Sequence, residues 1–405
     1  MKIVIIGGGA AGFFAAITCA EANPSAEIII FERGKKVLEK VRISGGGRCN
    51  LTHACFDPGE LIQYYPRGSK ALLGPFHQFC TGDTVDWFEK RGVKTKIESD
   101  GRMFPTTDNS HTIVNCLMEN AQKLGVKIVM HARMEQLEPP NSSDDKWQVK
   151  VNGQTIQADK LMIATGSNPK VWQLLQKIGH KIIPPVPSLF TFNIKDQRID
   201  GLAGLSVKNA SIKILNSKLQ TSGPLLITHW GMSGPGILKL SAWGARQLNE
   251  WNYQFNISVN WLGDSNFEQT INDLQSIKKK IAGKQVHSNA QFQLPIRLWK
   301  KLVEAAKISD TIRWGDLSKK LVNKLAVELT QCNFQVKGKS TFKEEFVTAG
   351  GVELNEINFK RFESKLHKNL FFAGEVLDID AVTGGFNFQA AWTGGWIAGN
   401  AMSEF

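Results

Sequence analysis

The sequence predicts an α/β protein whose parallel-sheet domain is split by a long insertion, and three observations carry that prediction. The chain opens on an apolar run, Lys2–Ile6, that ends in Gly7-x-Gly9-x-x-Gly12, with an acidic residue, Glu32, twenty positions after Gly12. Strand-like and helical patterns alternate as far as Gly166, then yield beyond Pro184-Pro185-Val186-Pro187 to segments of alternating polarity. A strand-like run, Asn369–Ala373, and a small-residue helical stretch from Gly385 to Met402 restore the opening pattern at the end of the chain.

Each element follows from its local pattern. Residues 2–6 (KIVII) read as a buried parallel strand, and the glycines open a helix that runs to about Ala22. Glu27–Phe31 is the second strand, which completes a βαβ start. Residues 34–52 read as a glycine-rich connection, 69–91 and 110–124 as helical, and Lys127–His131 as a strand. Gln148–Val151 and Thr155–Gln157 flank Asn152-Gly153, a hairpin dipeptide. Lys160–Ala164 is another buried strand, closing on Thr165-Gly166. The proline cluster at 184–187 marks a boundary. Segments 189–195, 206–216 and 219–228 then suggest an antiparallel sheet or small barrel, and a helix starts after Pro235. Helical patterns take over at 267–282, 295–307 and 316–331. The simplest architecture is a nucleotide-binding domain interrupted by a two-part insertion.

Composition bounds the function. At 405 residues, two or three domains are expected, and 42% hydrophobic with 21% charged residues is ordinary for a globular chain. The formal net charge is +12, and residues 268–343 hold fifteen Lys and Arg against six Asp and Glu. Such a stretch attracts nucleic acid or another polyanion, although a solvated helical face is the simpler reading because no nucleic-acid motif interleaves the lysines. Six cysteines without a CxxC pair read as free thiols of a reducing compartment. The apolar start is broken by Gly7, Gly8 and Gly9, and no run approaches the ~18 apolar residues of a membrane span. A cytoplasmic protein is expected.

The chemistry lies in three glycine-rich places. In the first, Gly7 permits a tight turn, Gly9 lets the backbone approach a pyrophosphate, and Gly12 allows close helix–strand packing. The helix beginning at Ala10 and Ala11 offers N–H groups to the phosphates, and Glu32 can accept both ribose hydroxyl protons. This is a Rossmann-type fingerprint. In the second, Ile43-Ser44-Gly45-Gly46-Gly47-Arg48-Cys49-Asn50 lacks a bracketing strand and helix. It suits a backbone wrapped round a flat polar ring and its phosphates, or simply a flexible loop. In the third, Leu370–Glu375 is followed by Val382-Thr383-Gly384-Gly385-Phe386-Asn387. This is either an ordinary strand–turn–helix or the cover of a flavin, with the helix N-terminus facing N1 and the C2 carbonyl. Beside the first fingerprint the flavin reading is favoured. A pyrophosphate turn with a ribose acid calls for FAD rather than FMN.

The segments GGGAAG, ISGGGRCNLTH, THWGMSGPGIL, FVTAGGV and FFAGEVLDIDAVTGGFNFQAAWTGG together resemble the bacterial FAD-dependent flavoprotein family that includes aminoacetone oxidase and the bile-acid dehydro-steroid reductase. The resemblance spans essentially the whole chain. It implies a Rossmann-type FAD-binding domain split by an inserted β-barrel-like domain and a helical cap. The implied division is 1–188, 189–266, 267–333, a return strand at 334–344 in the inserted domain, and 345–405. It also implies that Gly7, Gly9, Ala10, Ala11, Gly12, Glu32, Arg33, Gly46, Gly47, Arg48, Cys49, Asn50, Met134 (through its backbone), Thr165, Gly166, Gly374, Glu375, Gly384, Gly385, Phe386 and Asn387 line FAD. Members oxidise an amine or reduce a conjugated double bond, so the expected reaction is hydride transfer between the flavin and a small organic substrate. NAD(P)H stays open as a transient co-substrate, and a flavoprotein acting on RNA through the basic 268–343 region is the alternative. No membrane partner is expected.

Other readings carry less. Cys49 and Cys55 lack the CxxxxC spacing and second fingerprint of a disulfide reductase. His229, in Thr228–Pro235, is open to two readings: a proton donor over the flavin, or part of a helix-entry loop. The scattered histidines indicate no metal.

Overall fold

A computed structural model describes residues 1–142, 145–340 and 347–404. The chain forms two compact units, Met1–Val186 with Val347–Phe405, and Pro187–Phe346.

The first unit is built on a sheet whose parallel strands are Leu370–Phe372, Lys160–Ile163, Lys2–Ile6, Glu27–Phe31 and Lys127–Val129, in that order. The inner strands are covered on both faces and so are apolar past their first residues rather than alternating, whereas Lys127–Val129 at the edge is largely exposed. Their register brings the C-terminal ends level: Ile6 lies beside Phe31 and Ile163, and Ile163 beside Phe372. The residues that follow, Gly7, Glu32, Ala164 and Ala373, therefore leave the sheet along one edge. Lys2–Ile6 has its early partner on one side and its late partner on the other, so the connections diverge at its end, where such sheets bind ligands. Antiparallel strands Ile357–Asn358 and Glu363–Ser364 finish one side.

Two helices close this unit. The first, Ala10–Ala22, and the last, Phe386–Ser403, are buried on nearly every side, as their uniformly apolar sequences require. Gly395 and Gly399 let their backbones meet: a Cβ on either would stand 2.7 Å from the carbonyl oxygen of Ala11 or Ala15. Phe14 anchors the aromatic cluster around them, with its ring 4.4 Å from Trp87 and 5.3 Å from Trp392.

In the second unit the sheet order is Cys332–Lys337, Gln254–Asn260, Ser206–Ile214, Gln220–Ile227, Gly231–Ser233, Thr191–Asn193, Lys339–Ser340. Its two end strands are consecutive in the chain with Gly338 alone between them, so the sheet curves round onto itself. Pro235–Glu250 follows Gly231–Ser233, and Phe267–Lys280, Ile296–Ala305 and Lys319–Thr330 are the helices of the basic region. Trp261, Trp299 and Trp314 are buried in this unit's core.

Several expectations are corrected. The 34–52 connection contains a helical turn beginning at Glu39, which breaks at Ser44–Gly46, where Ser44 is extended and both glycines are left-handed. The 69–91 pattern is two helices, Ser69–Gln78 and Thr81–Glu89, because Phe79 turns extended after Pro75 and Cys80 starts the next helix. Thr95–Ile97, Arg102–Pro105 and Gln254–Asn260 are strands beyond those expected. The proline cluster, read only as a boundary, also lies in a strand: Ile182–Pro187 pairs with Thr348–Val352. The expected return strand begins at Cys332, and residues 341–344 of it lie outside the described residues. No helix among the described residues is long and apolar enough to cross a membrane.

The close approach of the two buried helices is testable. Gly395→Ala gains helix propensity but drives a methyl into the Ala11 carbonyl, so a net loss of about 1–3 kcal/mol is expected. A lower denaturant midpoint at unchanged slope checks this, and an unchanged midpoint would mean that the helices have slack.

Candidate functional site

The site begins where the level strand ends release the chain. Gly7 turns with φ +116°, a conformation that favours glycine, and a Cβ there would collide with the Ala164 carbonyl. A Cβ on Gly12 would meet the Gly7 carbonyl, so the helix starts pressed against its own turn. Gly9 has nothing within 4 Å of where its Cβ would stand, and it caps the first helix without any side-chain bond. Open space thus borders an uncapped helix N-terminus, where unpaired N–H groups and the positive dipole end suit a phosphate.

Glu32 is tied to this turn. One carboxylate oxygen accepts from the Gly8 N–H at 2.9 Å and the other from the Gly34 N–H at 2.6 Å. Each oxygen keeps a second lone pair, enough for a pair of vicinal hydroxyls. Arg33 is exposed beside it, and Ala132 N–H donates to the Glu32 carbonyl, which brings the segment leading to Met134 alongside. The Met134 side chain is buried.

A second group of residues gathers round the head of the last helix. Gly384 (φ +136°) and Gly385 (φ +95°) form its entry, and no side chain caps it. The Asn50 amide satisfies both neighbours when its oxygen accepts from the Gly385 N–H at 2.9 Å and its nitrogen donates to the Thr52 carbonyl at 3.1 Å. His53 Nδ1 lies 3.0 Å from the Gly384 carbonyl oxygen. Buried Gln389 accepts from Thr52 Oγ1 at 2.7 Å and Thr84 Oγ1 at 3.0 Å, and it donates to Thr393. Trp392 Nε1 donates to the Leu51 carbonyl at 3.0 Å. Asn387 clamps its own loop by bonding both backbone groups of Ala381. Arg67 pairs with Asp380, which is wholly buried just before the glycines.

Between these groups lies the 44–49 loop. Gly46 and Gly47 are left-handed, with open space where a Cβ would stand. Cys49 is buried and its thiol is pushed up to about 12, chiefly by burial, so it stays protonated and unreactive. All six cysteines are free and buried. Arg48 is held by protein partners: it lies over the Phe104 ring, 4.0 Å from the centroid, bonds Glu98 at 2.6 Å, and donates from Nε to the Gly45 carbonyl at 3.4 Å. Glu375 pairs with Lys40, and Thr165, Gly166 and Gly374 are partly exposed near it.

The structure thus groups the glycines, Glu32 and the last helix's entry within one unit, but it commits the Arg48, Glu375 and Asn387 side chains to protein partners. Sequence reasoning missed His53, Tyr64, Thr52 and Gln389. Phe386 packs between loop and helix: its ring is 4.2 Å from Tyr64 and 4.5 Å from His53. Gly385 needs its lack of a side chain for a reason internal to the protein, since a Cβ would lie 2.5 Å from Thr52 backbone. His229 belongs to the second unit, exposed in the Thr228–Gly231 turn. The residues fit FAD where the fit can be tested: glycine backbone borders open space at Gly9, Gly46 and Gly47, and two helix N-termini lack side-chain caps.

Comparison with known proteins bears on the family and the fold. A family model described as "HI0933-like protein Rossmann domain" matches residues 1–401. The chain is 29% identical to the ribosomal RNA dihydrouridine synthase of Escherichia coli (strain K12), over 97% of this chain and 96% of that protein. It is 27% identical to the 3-dehydro-bile acid delta(4,6)-reductase of Clostridium scindens, over 100% and 99%. Among solved structures, the 3-ketosteroid-delta4-(5alpha)-dehydrogenase of Rhodococcus jostii RHA1 shares the fold, with a TM-score of 0.53 at 14% identity, covering 100% of this chain and 97% of that one.

The Glu32 arrangement makes a prediction. With Glu32 as the expected ribose acceptor, Glu32→Ala removes that acceptor and frees two backbone N–H groups, so FAD affinity of the apoprotein should fall at least about tenfold, about 1.4 kcal/mol. Titration by flavin fluorescence quenching reads this. Unchanged affinity would place the ribose elsewhere.

Proposed function

We propose that this chain, which belongs to the HI0933-like Rossmann family, a group of FAD-binding oxidoreductases, reduces a carbon–carbon double bond conjugated to a carbonyl. The observation that carries the reading is the level ending of the parallel strands at Gly7, Glu32, Ala164 and Ala373, beside two uncapped helix N-termini. In this reading Gly7–Gly12 and the first helix hold the pyrophosphate and Glu32 the ribose. The Gly46–Asn50 loop, Thr165–Gly166, Gly374–Glu375 and Gly384–Asn387 hold the flavin. The chemistry supplied by bound FAD is two-electron: one hydride and one proton saturate the double bond, and the ring is left oxidised. The last helix's N-terminal N–H groups stabilise negative charge on the reduced ring, and buried Cys49, held protonated, takes no part in electron transfer. Reduction is favoured over amine oxidation because the curated relatives are by name a reductase and a dihydrouridine synthase. NADH or NADPH is the proposed source of the hydride.

A second reading concerns the substrate. Lys279, Lys280, Lys284, Arg313, Lys319, Lys320 and Lys324 are exposed in the second unit, and a relative of near-equal length is named for ribosomal RNA. A uracil ring in RNA carries the required double bond, conjugated to a carbonyl, so RNA is the substrate favoured by those two observations. A small unsaturated ketone is its competitor.

Anaerobic stopped-flow reduction by NADH and NADPH, followed by reoxidation, tests the reaction. Reoxidation by an unsaturated carbonyl compound or by uridine-containing RNA, faster than by oxygen, is expected. Reduction by an amine with reoxidation by oxygen alone would overturn it. RNA as the substrate further requires binding that weakens steeply with salt and dihydrouridine in the product.

A further inference from the structure

We infer that His53 is a positioning residue for the flavin: by bonding the Gly384 carbonyl it fixes the turn that aims the free N–H groups of the last helix at the reduced ring. The inference rests on the flavin reading above and adds to it a residue outside the set implied by resemblance.

Gly384 and Gly385 are the weak point of that turn. Both are left-handed glycines, and glycine populates several backbone conformations at little cost, so outside contacts must select one. The strand Thr52–His53 and the residue Asn50 supply those contacts. Asn50 takes the Gly385 N–H, and His53 takes the Gly384 carbonyl. A carbonyl only accepts, so His53 Nδ1 carries the hydrogen. The ring is held in place on both sides. It stacks on Phe386 with 29° between the planes, and its Nε2 lies so near Gly101 that a Cβ there would stand 2.5 Å away.

With the turn fixed, the N–H groups of Phe386, Asn387 and Phe388 have no partner four residues back in the helix. They are the donors available to the pyrimidine edge of the ring, where negative charge grows on reduction. His53 acts here as a neutral donor. Burial is the largest influence on it and lowers its pKa, while Asp100 and Arg102 pull in opposite directions. Loss of the bond should therefore cost the reduced flavin more than the oxidised one.

The test compares two variants of the FAD-loaded protein. His53→Leu keeps apolar volume and removes the donor, whereas His53→Gln keeps an N–H donor and removes the aromatic ring. The two-electron potential is measured by dye equilibration at full FAD occupancy. His53→Leu should bind reduced flavin about tenfold less favourably relative to oxidised, a fall of about 30 mV, and His53→Gln should stay within about twofold of the parent, or about 9 mV. A parent potential retained in His53→Leu would overturn the inference while leaving the flavin reading intact. If His53→Leu fails to fold or to hold FAD, His53→Gln decides alone. Its potential within the stated range supports the role, and a tenfold fall assigns the effect to ring packing and overturns it. A parent protein that carries no flavin would remove the flavin reading and this inference together.

Discussion

The site depends on a set of buried hydrogen bonds that joins residues 50–53 to the head of the last helix. Asn50, Leu51, Thr52 and His53 bond Gly385, Trp392, Gln389 and Gly384 respectively, across more than 330 residues of chain. Buried polar groups without partners are costly, so these bonds form together or the helix does not seat. The constraint explains why the last helix, though apolar all round, keeps Gln389 and Thr393 in its interior. It also explains Gly385, whose missing side chain lets the helix entry touch Thr52.

The second constraint is the register of the parallel strands. Level ends bring Gly7, Glu32, Ala164 and Ala373 to one edge although they come from distant parts of the sequence. Insertion of a second unit between the strand Lys160–Ile163 and its neighbour Leu370–Phe372 leaves this register intact, because loop-closure cost grows only slowly with the length inserted.

The first strand, turn and helix were legible in the sequence because each level of the pattern agrees: apolar run, spaced glycines, acid at the next strand end. Thr95–Ile97 and Arg102–Pro105 were not, since strands so short carry too few residues to show a period and theirs include Lys96 and Arg102. Gln254–Asn260 did alternate, with Phe255, Ile257 and Val259 buried, and its period could have been read. Within the site the glycines announced themselves through spacing. The partner of Arg48 was not legible, because a guanidinium beside glycines suggests a phosphate, whereas its side chain bonds Glu98, fifty residues away. Gln389 and Thr393 gave the signal that could have been used: polar residues four apart in an otherwise apolar helix need buried partners.

The relatives whose names mention RNA and bile acid are nearly equally distant from this chain, so the reacting group shared by both names is a better guide than either whole substrate. The central claim is narrower than the substrate: the glycine turn, Glu32 and the helix entry together form a site for a dinucleotide flavin. The most direct measurement is chromatography of the cofactor released when the purified protein is denatured, with its amount set against protein. The account predicts FAD, near one per chain. FMN alone, or no flavin retained or taken up by the apoprotein, would contradict it.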